Sequence, residues 1–226
     1  FAESLPKVRK VLANVPTYMI FDDHEVTDDW NITRHWYQHI QDSSCGRRII
    51  SNGIAAYWAF QGWGNDPDGF DEEFIGAISD HLQHPDNAER AELFDLHMWN
   101  RRGWSYSVPT TPPIIAMDTR TQREFDSSGN PAKLMDQYGL DGLRLAWSKL
   151  KESESAESPI FISGTPVIGF APAERIQRLL RAIGIKVTKL DMEAWLSNKQ
   201  GYFNLLDTLL TRMKLQQCYF ISGDVH

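Results

Sequence analysis

Four short apolar runs in this 226-residue chain each stop abruptly on a polar cluster. Tyr18–Phe21 meets Asp22-Asp23-His24, and Ile114–Met117 meets Asp118-Thr119-Arg120. Pro159–Ile162 meets Ser163-Gly164-Thr165, and Cys218–Ile221 meets Ser222-Gly223-Asp224. Short, continuously apolar runs suit strands that are covered on both faces. Before and between them lie amphipathic stretches that predict helices at 4–15, 47–61, 71–82, 87–101, 140–151, 173–183 and 202–214. In the first of these, Leu5, Val8, Leu12 and Val15 share a face. Trp104–Val108 alternates and predicts an edge strand. Residues 121–139 are polar and predict a long surface loop, with Arg123 in solvent; 151–158 reads as a linker. This alternation of strands and helices indicates an α/β layered fold. In such sheets, sites collect beyond the carboxyl ends of the strands. The four polar clusters therefore predict one site along one sheet edge.

The richest cluster is Asp22-Asp23-His24-Glu25, with Asp28 and Asp29 following. Five carboxylates around one imidazole repel one another unless cations neutralise them, and beside a buried strand that repulsion is costly. Carboxylates with an imidazole suit Mg, Ca, Mn, Fe or Zn. The alternative is an acidic turn capping the next helix. The chain ends on Gly223-Asp224-Val225-His226, where Asp224 and His226 point the same way if extended and can face one ion. Arg120 would hold a phosphate, or form a structural ion pair with Asp118.

Other signals point away from chemistry. Taking Gly69 as the sixth position of a calcium loop puts Ile75 at the twelfth, where a Glu belongs. His35 and His39 lie four apart without a third ligand in register, and Tyr57 to Trp63 reads as core. Ser163-Gly164-Thr165 lacks the surroundings of a nucleophile elbow. Cys45 and Cys218 have no zinc-binding spacing. The net charge of −7 argues against a nucleic-acid partner, and no apolar run approaches a membrane span. The chain begins at Phe1 and stops inside a motif, which predicts an internal piece of a longer protein and leaves its compartment open.

Phe21-Asp22-Asp23-His24-Glu25-Val26, then Asp29-Trp30-Asn31, resembles the aromatic-Asp-Asp-His-Glu block of PhoD-like alkaline phosphatases, within the calcineurin-like metallophosphoesterase superfamily. Asp118-Thr119-Arg120 is similar to the family's Asp-x-Arg block, and Ser222-Gly223-Asp224-Val225-His226 to its late Ser-Gly-Asp-x-His block. The resemblance implies a four-layer α/β/β/α sandwich around two metal ions, of which residues 1–226 are the central and C-terminal part. The family's earliest metal-binding blocks are absent, so the segment alone is expected to be weakly active. It implies hydrolysis of a small phosphate ester, with His24 catalytic and Asp23, Asp224 and His226 holding metal. Asp22, Glu25, Asp118 and Arg120 would orient these groups or face the phosphate. The competing expectation is a metal-binding structural domain without catalysis.

Overall fold

The computed structural model describes residues 4–126, 131–152, 158–167 and 194–223. The expected helix at 173–183 lies outside them, as do Asp224 and His226.

The chain opens on helix α1 (Leu5–Leu12). A helical layer follows, built from α2 (Arg34–Asp42), α3 (Ser44–Tyr57), α4 (Glu72–Gln83) and α5 (Ala88–Asn100). Each starts on a short polar residue whose side chain accepts a backbone N–H of the first turn: Thr33, Ser43, Asp71 and Asn87 respectively. A π-helical turn at Trp58–Gly62 continues α3. This layer closes a core of its own, with Ile50, Ile54, Tyr57, Phe74, Phe94, Met98 and Trp104 packed around Phe21 and Trp30.

The second half forms a four-stranded mixed sheet in the order β1 (Tyr106–Val108), β2 (Ile114–Met117), β3 (Ile160–Ser163), β4 (Tyr219–Ser222). The β1–β2 pair is antiparallel, while β2, β3 and β4 run parallel. Two helices, α6 (Gln137–Glu152) and α7 (Lys199–Asp207), cover one face. There Ile115, Met117 and Phe161 pack against Leu140, Leu143, Trp147, Leu205 and Leu209. Strand alternation sends Ala116 and, beside it, Ile114 and Ile162 to the opposite face. On that face Tyr219 and Ile221 of β4 stay half exposed. The fold is thus mixed α/β, as the run-and-helix alternation predicts.

Three expectations need correction. Tyr18–Phe21 does not join the sheet. Met19 offers its N–H to Asn65 Oδ1 (3.2 Å), and its carbonyl accepts from Asn65 Nδ2 (2.6 Å) and the Tyr57 hydroxyl (3.0 Å). Side chains of the helical layer thus supply the partners that a neighbouring strand would. Second, much of 121–139 is not surface: Gln122, Arg123, Ala132, Leu134 and Met135 are buried. A backbone bridge between Glu124 and Lys133 folds the segment back on itself, and Arg123 donates to the Thr119 carbonyl at 2.9 Å. The helix expected at 4–15 forms as α1; it buries none of its residues, and its apolar face remains exposed. Third, the stripe from Tyr57 to Trp63 is core only in part, since Phe60 and Trp63 face outward.

Candidate functional site

The acidic cluster is a loop pinned at both ends by aromatic rings. Phe21, before it, contacts Trp30, after it, at 5.2 Å between ring centroids, and also Tyr57 at 4.7 Å. Burying these rings holds the intervening residues 22–29 at the surface of the helical core. Val26 and Thr27 both donate backbone N–H groups to the Asp23 carbonyl at 2.8 Å, so the loop turns tightly. It leaves through Asp29 and Asn31, at φ 61° and 59°, a left-handed backbone that Asp and Asn tolerate best.

The carboxyl edge of the sheet meets this loop. A β-carbon added at Gly164, just past β3, would lie 3.1 Å from the Phe21 carbonyl and 3.2 Å from the Asp22 carboxyl carbon. Gly223, just past β4, donates its N–H to the Ser163 carbonyl at 3.1 Å. The end of β4 therefore lies beside the strand end that approaches Asp22.

Arg120 makes the third connection. Its side chain is fully buried. Nε donates to Asp22 Oδ1 at 2.5 Å, Nη2 pairs with both Asp22 and Asp23 (3.0 Å to the latter), and Nη1 donates to the Trp30 carbonyl at 3.2 Å. Asp23 is buried too, and its Oδ2 accepts the Asp29 N–H at 3.0 Å. Burial pushes the Asp23 carboxyl up, but Arg120 and the backbone N–H groups outweigh it and leave it below the ordinary range. Asp118 is completely buried and does not pair with the Arg120 side chain as the ion-pair alternative would have it. It accepts the backbone N–H groups of Arg120 (3.0 Å) and Thr121 (2.8 Å), and the Thr121 hydroxyl. Burial raises its pKa despite those bonds.

The remaining loop groups face outward. His24 is exposed, with Nε2 3.9 Å from Asp28 Oδ1. Glu25 accepts the Asp22 N–H at 2.8 Å and so braces the loop entrance; the carboxylate beside the imidazole is Asp28. The pair lies four apart across a tight turn rather than on a helix, and that short separation is its mark in the sequence. Asn31, whose Nδ2 donates to the Arg120 carbonyl at 3.0 Å, carries no such mark.

Ligand atoms of Asp23, His24 and Asp28 all lie within 4.8 Å of one another. Two carboxylates and an imidazole are a donor set that Mn, Fe, Zn or Mg accepts. Among the described residues no second group of three such donors closes to that distance. No helix among them is long and apolar enough to cross a membrane. Comparison with protein-family models, with curated proteins and with solved structures finds no match.

Proposed function

We propose that this chain carries part of a metal-dependent phosphoesterase site that hydrolyses small phosphate mono- or diesters. One observation supports the reading above the others: an exposed imidazole, His24, stands between a buried and an exposed carboxylate at the carboxyl edge of the sheet. Asp23 and Asp28 would hold a cation, with Asp224 and His226 completing a two-metal set from the adjoining strand end. Bound cations would supply Lewis-acid polarisation of the phosphoryl group and activation of water.

The chain's own residues would then do the rest. His24 reaches solvent and can give a proton to the leaving oxygen, with Asp28 orienting its ring. Glu25 and Arg120 would keep the loop in shape. The reading extends to architecture: the apolar sheet face carrying Ile114, Ile162, Tyr219 and Ile221 is the surface that a second sheet would cover in a four-layer sandwich.

A second reading, a metal-binding domain without catalysis, draws on a different observation: Arg120 offsets one of the two charges on Asp22 and Asp23 and ties the loop down, so the cluster has a structural part to play whether or not an ester is cleaved. Hydrolysis of p-nitrophenyl phosphate or its bis-ester by the full-length protein separates the two. The phosphoesterase reading expects activity that EDTA removes and Mn²⁺ restores. It also expects His24→Ala to lower kcat by about 10²-fold, the scale of lost general-acid catalysis. A metal that raises the melting temperature while no ester is cleaved would leave the structural reading standing instead.

A further inference from the structure

We propose that Arg120 is a positioning residue, one buried guanidinium that sets the shape of the 22–31 loop and thereby the mutual placement of Asp23, His24 and Asp28. The proposal rests on the phosphoesterase reading above.

Arg120 touches both ends of the loop. At the entrance it binds Asp22 and Asp23. At the exit its Nη1 holds the Trp30 carbonyl, and its own carbonyl receives the Asn31 amide. Its backbone is in turn fixed to Asp118 at the end of β2. One residue thus ties the loop to the sheet, across a separation of 98 positions for Asp22. The exit needs such a tie, because Asp29 and Asn31 sit in left-handed backbone that non-glycine residues keep only when surrounding contacts hold it. Asp29 is anchored through Asp23 Oδ2, whose partner Oδ1 faces Arg120. Losing Arg120 would therefore loosen entrance and exit together.

The same geometry argues against a direct role on the substrate. The side chain has no solvent exposure, and an incoming phosphate would have to draw the guanidinium away from two carboxylates. Lysine cannot replace it, since one ammonium does not span three acceptors set in a planar fork.

The test compares wild type, Arg120→Lys and Asp22→Asn in the full-length protein. Amide exchange of Val26, Thr27 and Asp29 reads the loop directly. Mn²⁺ binding and hydrolysis of bis-p-nitrophenyl phosphate read the site. Arg120→Lys is expected to speed exchange of those three amides by about 10²-fold while α4 and α5 keep their protection. It is expected to lower kcat by about 10²-fold, the scale of a small misplacement, with KM within about threefold. Asp22→Asn, which takes the charge from one arm while keeping an acceptor, should move both readouts the same way by less, and it decides the matter if the lysine variant does not fold. Unchanged loop exchange would overturn the proposal. So would a raised KM at constant kcat, the mark of an arginine that binds phosphate. If wild type neither binds Mn²⁺ nor cleaves the ester, the phosphoesterase reading fails, and amide exchange still decides whether Arg120 holds the loop.

Discussion

Gly53 shows how far a single β-carbon reaches into this site. It lies inside α3, where alanine is the better helix former by about 0.5–1 kcal/mol. A β-carbon there would sit 2.8 Å from Val26 Cγ1, on the acidic loop. Val26 cannot easily turn away, because a β-branched side chain has few rotamers and its N–H is bound to Asp23. Overpacking of this kind costs about 1–3 kcal/mol, so the clash outweighs the propensity gain. Gly53→Ala is expected to destabilise by about 1 kcal/mol, and in a Val26→Ala background the same change should stabilise, as urea denaturation would register. Equal effects in both backgrounds would refute the contact. At this scale the sequence marks residues that meet in the fold but not their pairings. Asp22, Asp23, Asp118 and Arg120 all stand out in it, and the structure joins Arg120 to the first two through its side chain and to Asp118 through its backbone. A short separation lets one tight turn bring His24 and Asp28 together, whereas a bond across 98 positions follows only from topology.

Elements were legible where local pattern and tertiary role agree. β2 matches its apolar run residue for residue, and β1, β3 and β4 fall within a residue or two. The helices over 72–83, 88–100 and 137–152 follow their amphipathic stretches for the same reason. Tyr18–Phe21 has an equally good strand pattern and lies outside the sheet, because an apolar run specifies burial and extension but not what accepts its backbone bonds. Asn65 occupies that role: it serves both the N–H and the carbonyl of Met19 from one side chain. Asn65→Ala takes the acceptor from the Met19 N–H and leaves its carbonyl with the Tyr57 hydroxyl alone, and should cost about 1–3 kcal/mol, with the loss read by urea denaturation. A cost near zero would mean that this segment holds its course through Phe21 and Ile20 packing alone. The 121–139 stretch misleads in the opposite sense. Its polar composition conceals a segment folded on itself whose Leu134 and Met135 complete the core under α6.

At the scale of the whole molecule, the helical layer and the sheet carry separate cores, and Tyr18–Phe21 runs along the seam between them. Phe21 enters the helical core, Ile20 packs on the open sheet face, and Tyr18 stacks on Tyr106 at 6.2 Å. Two buried phenols guard this seam. Burial, then the neighbouring Tyr18, pushes Tyr106 from 10.0 up to about 12. Burial, followed by Tyr106 and Asp118, pushes Tyr57 higher still. The folded state therefore keeps phenolic protons that the unfolded chain has already released. The stability tied to them is fully present below pH 10.0 and is lost as pH rises toward 12. Each phenol still protonated in the fold but ionised in the unfolded chain contributes roughly 1 kcal/mol per pH unit to that decline. Because Phe21 and Tyr57 also anchor the acidic loop, the seam and the candidate site should fail together in alkali. Tyr106→Phe cannot ionise, so it should show a shallower fall in unfolding free energy between pH 10.0 and 12 than wild type, and should retain loop structure to higher pH. Parallel declines for the two proteins would place the alkaline weakness elsewhere, in the lysines or in the helical layer alone.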